Sequence, residues 1–199
     1  MNTRRIARIS MIAATYAACT LVAMLFLGWM AWGPVQFRIS EALVVLALFT
    51  ADAIPGLTLG CVIANVANIA LSGVGTLGLL DVVFGSLATL LGAVFTWHFR
   101  NRPALALLGP VIANGLIVPA YLPFMLQGLG FYTIPFTSID LEGAYVPMYL
   151  FGLVATSFGE AVVMYVLGLP LYHALEKTPL VSLLADESGY QQAYGEERQ

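Results

Sequence analysis

The chain has 199 residues, of which 60% are hydrophobic and only 10% are charged, and its mean hydropathy is +0.88. Soluble domains carry about 25% charged residues, so this composition excludes an ordinary soluble protein and indicates an integral membrane protein. The formal net charge of -3 provides no basic surface for phosphate groups. We therefore expect the lipid bilayer as surroundings and no nucleic-acid partner.

The apolar residues fall into six segments, at 9–31, 41–51, 54–72, 79–99, 103–126 and 146–171. At ~1.5 Å per residue, five of them can cross about 30 Å of hydrocarbon, whereas the second is too short to do so fully. Arginines precede the first segment and follow the fourth, at Arg4, Arg5, Arg8, Arg100 and Arg102. By the positive-inside rule both groups are cytoplasmic, which requires an even number of crossings between them.

The sequence therefore predicts an all-α integral membrane protein, a bundle of six transmembrane helices with a short second helix and both termini in the cytoplasm. Residues 1–175 form the membrane domain, and residues 176–199 are expected to be an acidic, disordered cytoplasmic tail. Cys19 and Cys61 lie within apolar runs and are interpreted as inert thiols. No metal site and no cofactor are predicted.

The stretch from Val35 to Leu43 places a cation and an anion, Arg38 and Glu41, between two long apolar segments. Charges in or beside a bilayer core are costly and usually pair with one another or bind a ligand. Arg38 also lies on the predicted outer side, against the positive-inside rule. We interpret both residues as candidates for gating or ligand contact.

Further polar side chains lie inside the predicted spans, at Asn65, Asn68, Asp81, Asn114 and Glu160. Asn65 and Asn114 fall near mid-membrane, and Asn68 lies one turn from Asn65 on the same helix face. A single buried asparagine often serves only as an interhelical hydrogen bond. A carboxylate as deep as Glu160 favours a functional role, because burying it is costly. Together these residues could line a polar pocket open to the outside.

Small and aromatic residues suggest contacts of other kinds. The first helix contains two interleaved AxxxA pairs in the run from Ala13 to Ala18, and the third contains Gly56 and Gly60 as a GxxxG. Such faces allow close helix approach, within the chain or with a partner. Aromatic rings near the predicted outer boundary are interpreted as interfacial anchors: Trp29, Trp32, Tyr121, Tyr132, Tyr145 and Tyr149.

Enzyme motifs give little support for catalysis. Residues 73–78 match GxGxxG, but no βαβ pattern surrounds them and we interpret them as a turn. Lys177 is the only lysine and follows no glycine-rich loop, so the chain has no Walker A motif and any ATP-driven role requires another subunit. Motifs typical of hydrolases, HExxH and GxSxG, do not occur.

Several stretches resemble the QueT-type substrate-binding (S) components of energy-coupling-factor (ECF) transporters. They are the QFRISEAL stretch at 36–43, GCVIAN at 60–65, DVVFGSLATLL at 81–91, PVIAN at 110–114, and Gly159-Glu160 followed by VLGLPL at 166–171. The resemblance covers about residues 6–175 and leaves out the acidic tail.

The resemblance implies an S-component bundle in a prokaryotic cell membrane that captures a queuosine-related deazapurine from outside. Its implied partners are a transmembrane coupling subunit, contacted by Ala14 and Ala18, and two cytoplasmic ATPases. The loop 33–41 and the outer halves of helices 3 to 6 would enclose the ligand, with Phe37 or Trp32 stacking on the base. Three alternatives remain open: an S component for another vitamin-like solute, a small lipid-modifying membrane enzyme using Asp81 or Glu160, and a structural helix-packing subunit.

Overall fold

The computed structural model of the protein describes residues 3–27, 38–73, 75–128 and 145–179, and this part of the chain consists of helices joined by short turns. The predicted aromatic contacts at Trp29, Trp32, Phe37 and Tyr132 lie outside the described residues, as does the tail from residue 180 onward. The helices of the described residues are α1 (Thr3–Leu27), α2 (Ile39–Leu48), α3 (Ala53–Ser72), α4 (Gly75–His98), α5 (Pro103–Ala106 followed by Leu108–Gly128) and α6 (Tyr145–Glu176).

Five of these helices are long and apolar enough to cross a membrane, and α2 is not. The 10 residues of α2 form a 3₁₀ helix, which at ~2.0 Å per residue reaches only about 20 Å. The predicted all-helical membrane protein with a short second helix is therefore confirmed. The number of crossings and the cytoplasmic position of both termini stay predictions.

The short helix α2 runs antiparallel beside α1. Near its start, Glu41 accepts a hydrogen bond from Tyr16, and beyond its end, Asp52 forms ion pairs with Arg5 and Arg8 at 2.6 and 2.8 Å. Arg5 and Tyr16 are 11 residues apart on α1, which corresponds to about 16 Å along the helix axis. The start of α2 therefore lies deep in the bundle, well away from the arginine-rich end of α1.

The glycines of the GxxxG motif in α3 pack against α1. A Cβ added at Gly60 would lie 2.7 Å from the carbonyl oxygen of Ala13, and one at Gly56 would lie 2.9 Å from the Cβ of Ile12. Real Cβ atoms do not approach other atoms so closely, so only glycine permits this helix separation. The motif serves packing within the chain.

The two interleaved alanine pairs of α1 face different surroundings. Ala13 and Ala17 are buried, at 2% and 6% exposure, on the face that α3 covers. Ala14 and Ala18 are exposed. Packing within the described chain therefore accounts for the first pair and leaves the second pair accessible.

Two helices contain wide turns of the π type, at Asp81–Gly85 in α4 and Val163–Gly168 in α6. Such turns are frequent at functional sites because they change the direction of the side chains that they carry. The first turn carries Asp81, and the second follows closely after Glu160. Between α3 and α4 the chain turns at Gly73 and Gly75, whose φ values of 69° and 63° are typical of glycine. The turn predicted for residues 73–78 is therefore shorter than expected, because Gly75–Leu77 and Gly78–Leu80 are already helical.

Candidate functional site

A series of hydrogen bonds links four buried residues, which come from α3, α4, α5 and the position before α2. Arg38 Nη2 donates to Asn65 Oδ1 at 3.2 Å, and Asn65 Nδ2 donates to the backbone oxygen of Asp81 at 2.8 Å. The hydroxyl of Tyr121 donates to Asp81 Oδ1 at 2.6 Å. We call these four residues the arginine cluster. Its members come from separate elements, so forming it requires the folded bundle.

The wide turn in α4 allows the arginine cluster to close around Gly85. A Cβ added at Gly85 would lie 3.4 Å from Asn65 Nδ2 and 3.5 Å from both Arg38 Nη2 and the Tyr121 hydroxyl. Three polar side chains therefore converge on a glycine backbone. Phe84, the preceding residue, stacks on the Tyr121 ring with centroids 5.8 Å apart. A Cβ at position 85 would be in ordinary van der Waals contact with these groups, so a side chain larger than alanine would have to displace them.

Glu41 is held by two hydroxyl groups on neighbouring helices. Its Oε1 accepts hydrogen bonds from Tyr16 at 2.5 Å and from Thr89 at 2.8 Å, and the side chain has no exposed surface. Its other oxygen, Oε2, is buried without a hydrogen-bond partner among the described residues. The two hydrogen bonds to Oε1 thus fix the orientation of the carboxylate, and Oε2 can accept further hydrogen bonds.

Glu160 and Asn114 lie beside one another and next to Glu41. Asn114 lies close enough to Glu160 to interact with its carboxyl group, and Glu160 lies within reach of two charges, the carboxylate of Glu41 and the guanidinium of Arg38. Within the described part of the chain, Glu160 Oε1 and both amide atoms of Asn114 lack a hydrogen bond of good geometry. We call Glu41, Asn114 and Glu160 the carboxylate cluster. Buried polar groups without partners are rare and call for an explanation, such as a ligand.

All seven polar residues singled out from the sequence are buried. Six of them belong to the two clusters, and the seventh, Asn68, is buried one turn beyond Asn65 on α3. Arg38 donates a hydrogen bond to Asn65, whereas Glu41 accepts hydrogen bonds from Tyr16 and Thr89, so these two charged residues are held in different clusters. Whether any of the seven contacts a ligand stays a prediction.

One sequence interpretation is wrong at the level of the side chain. The sequence predicts that Tyr121 anchors the protein at the membrane boundary, but the residue is buried and its hydroxyl donates a hydrogen bond to Asp81. A buried carboxylate attracts a phenol donor, and this hydrogen bond outweighs the interfacial preference of the ring. The signal in the sequence was its position, because Tyr121 follows Asn114 by seven residues and therefore lies on the same helix face.

Sequence reasoning also missed the hydroxyl groups that orient Glu41 and the charged contact at the other end of α1. Tyr16 stands within the alanine-rich run of α1, Thr89 lies one turn after Gly85, and Asp52 was noted only as an interruption between two apolar segments. Nothing in their local sequence identifies their partners, which are 25 to 48 residues away along the chain.

Neither cluster resembles a metal centre. Among the described residues, no group of three or more His, Cys, Asp or Glu side chains is placed to hold a metal ion. A separate groove of about 480 Å³ lies between α4 and α5 and is lined mainly by apolar side chains such as Leu91, Phe95 and Ile112. The buried polar side chains of the described residues lie instead in the interior of the bundle. There, the arrangement of carboxylates, amides and a guanidinium can bind a small polar molecule.

The part of the chain that forms the helical bundle is also the part that matches known proteins. The family model of the QueT transporter matches residues 6–177. A relative named "Queuosine precursor transporter QueT", from Lactococcus lactis subsp. cremoris (strain MG1363), is 37% identical over 90 residues. That alignment covers 45% of this chain and 52% of the relative, so the match spans about half the length of the relative. No solved structure matches the chain. Because the family model matches most of its length, the chain belongs to the QueT transporter family.

Proposed function

We propose that this protein is the substrate-capture (S) component of an ATP-driven ECF uptake transporter for a queuosine precursor or a related deazapurine. Membership of a transporter family, the multi-pass helical bundle and the buried polar residues support this function. The name of the Lactococcus relative supports the choice of ligand. A transporter family also argues against the alternative of a lipid-modifying enzyme.

The observation that carries the proposal is the set of buried polar atoms without partners in the carboxylate cluster. Leaving a buried donor or acceptor unsatisfied costs about 1–3 kcal/mol, which a bound ligand can recover. A deazaguanine presents N–H donors next to a carbonyl acceptor along one edge. Glu41 and Glu160 can accept from the donors, and the Asn114 amide can both donate and accept. Binding of this kind requires no chemical step.

The second part of the proposal is coupling to other subunits through α1. Ala14 and Ala18 form a small, exposed face that packing within the described chain does not use. Such a face allows another membrane helix to approach closely. We assign to it the transmembrane coupling subunit, which would associate with two cytoplasmic ATPases. This arrangement agrees with the lack of a Walker A motif in the chain.

The proposed orientation places both termini in the cytoplasm and the protein in a prokaryotic cell membrane. Support comes from the arginines at the start of α1 and between α4 and α5. Arg5 and Arg8 also pair with Asp52, which places the start of α3 at the same end of the bundle as the start of α1. The carboxylate cluster would then be reached from the outer side.

The test is ligand binding by the purified chain. We expect saturable binding of a deazaguanine, measured by calorimetry in detergent or nanodiscs, and the same class of compound in mass spectra of the copurified small molecule. The ligand should be recovered unchanged after prolonged incubation. Copurification of a different solute, together with no binding of deazaguanines, would reassign the ligand to another vitamin-like class. Conversion of the ligand would contradict the transport role.

A further inference from the structure

The groove between α4 and α5 lies at the surface of the bundle, and none of its lining residues belongs to the arginine cluster or the carboxylate cluster. The side chains along it are apolar and about half exposed: Leu91, Val94, Ile112 and Leu116 have 44–50% of their surface accessible. Both helices are long and apolar enough to cross a membrane. The groove therefore faces hydrocarbon, and its occupant has to be apolar where it contacts these side chains.

The two helices touch at the base of the groove. A Cβ added at Gly109 would lie 2.8 Å from the Cβ of Phe95, and one at Gly92 would lie 2.9 Å from the Cα of Pro110. These glycines are therefore already covered within the chain, and the walls above them consist of leucine, valine and isoleucine. Membrane helices pair closely through small residues, so these walls suit a thin, flexible occupant better than another helix.

The groove has the length of an acyl chain in one leaflet. Along α4 its lining extends from Leu91 to His98, and along α5 from Gly109 to Ile117. At ~1.5 Å per residue these stretches are about 10 and 12 Å long. The hydrocarbon of one leaflet is ~15 Å thick, half of the whole core. A lipid chain that enters from one membrane surface would therefore fill the groove along its length.

The end of the groove adjoins a basic turn. Arg100 and Arg102 lie in the turn that joins α4 to α5, and the sequence has no Asp or Glu at positions 82–139. The Arg100 guanidinium stacks on Trp97, 4.1 Å from the ring centroid, and donates to the Trp97 carbonyl oxygen at 3.2 Å. The Arg102 residue is exposed. Tryptophan prefers the headgroup level of a membrane, and a guanidinium binds phosphate oxygens with paired N–H groups.

We propose that this groove binds one anionic phospholipid, with an acyl chain between α4 and α5 and the phosphate group at Arg100 and Arg102. The His98 imidazole, which lines the same end of the groove, can donate a further hydrogen bond to the phosphate. A lipid satisfies the apolar walls, the length of one leaflet and the positive charge at one end. This site is separate from the proposed substrate site and does not depend on which solute the bundle binds.

The test compares two phospholipids with the same acyl chains and a different headgroup charge. The full-length chain in detergent is titrated with palmitoyl-oleoyl phosphatidylglycerol, which is anionic, or with palmitoyl-oleoyl phosphatidylcholine, which has no net charge. Bound lipids are counted by native mass spectrometry. An arginine near an anionic lipid is worth about fivefold in affinity, so for two arginines we expect the first phosphatidylglycerol to bind ~10- to 25-fold more tightly. Equal affinities would overturn the proposal.

Matched variants assign the two parts of the lipid. Arg100→Gln and Arg102→Gln should each reduce the ratio of the two affinities by about fivefold. Lys177→Gln, which removes the same charge at the exposed end of α6, should leave the ratio unchanged. Ala113→Phe narrows the groove and should abolish tight binding of the first lipid. Val154→Phe, at an exposed position of α6 outside the groove, is its control.

Three results contradict the proposal at different points. A preference for phosphatidylglycerol that persists when both arginines are replaced would overturn the headgroup site. Unchanged lipid binding in an Ala113→Phe protein that unfolds at the wild-type temperature would overturn the acyl-chain site. A lipid-free dimer that Ala113→Phe dissociates would assign the groove to a second copy of the chain. If Ala113→Phe fails to fold, the wild-type comparison and the arginine variants still decide, because they leave the groove unaltered.

Discussion

The alanine pairs of α1 provide a test of coupling in which the chain supplies its own control. The perturbation is Ala14→Leu together with Ala18→Leu on the exposed face. The control is Ala13→Leu together with Ala17→Leu on the buried face of the same helix. Both double variants make the same chemical change one residue apart, so they differ only in the surface that they enlarge.

The expected effects follow from the separation of α1 and α3. At Gly60 a single added Cβ would already lie 2.7 Å from the Ala13 backbone, so the buried face has no room for a leucine. Overpacking of this kind costs about 1–3 kcal/mol at each site, or ~2–6 kcal/mol for the double variant. Exposed substitutions usually change stability by less than about 0.5 kcal/mol each. We therefore expect the control to unfold at lower temperature and the exposed variant to be as stable as the wild type.

The assay measures three properties of each protein: thermal unfolding in detergent, deazaguanine affinity of the isolated chain, and recovery of the coupling subunit and ATPases by affinity purification. For the Ala14 and Ala18 variant, stability and affinity should stay near wild type, while assembly and uptake are lost. Two leucines on a face that requires close helix approach should weaken association by more than about 1.4 kcal/mol, which is tenfold or greater.

Either of two results would refute the assignment of Ala14 and Ala18 to a coupling surface. If the exposed variant loses ligand affinity to the same extent as assembly, the face contributes to the fold or to the ligand site and is no coupling surface. If the exposed variant assembles and transports like the wild type, the partner contacts another part of the protein. The buried-face control should lose stability in both cases, which verifies that leucine was introduced on the intended sides of α1.

Three further predictions concern the ligand, the ion pairs and the topology. Glu160→Gln should lower deazaguanine affinity ~10- to 100-fold in calorimetry, since it removes a charged acceptor, and an unchanged affinity would exclude this residue from the site. Asp52→Asn should lower the free energy of unfolding by about 1–2 kcal/mol in denaturant titrations, because it breaks two ion pairs with partly exposed arginines; equal stability would show that these pairs contribute nothing. Reporter fusions at Asn101 and at Gly130 should report the cytoplasm and the outside, respectively, and an external signal at Asn101 would contradict the six-crossing arrangement.

The sequence alone identified the class of protein and the polar residues that deserve attention. Composition and the length of the apolar segments predicted five full-length helices and a short one, because the thickness of the hydrocarbon core fixes how many apolar residues a span requires. The cost of burying charge selected Arg38, Glu41, Asp81 and Glu160, and the structure buries all four. Motif resemblance indicated the family that the comparisons then showed.

Tertiary structure decided which of several equivalent faces meets which neighbour. The interleaved alanine pairs look identical in sequence, yet Ala13 packs under Gly60 while Ala14 stays exposed. Tyr121 looks like a boundary ring until Asp81 is placed beside it. Helical periodicity tells which side chains share a face, but the partner of that face comes from a distant part of the chain. The pairing of faces, and with it the assembly of the arginine cluster and of the carboxylate cluster, therefore exists only in the folded bundle.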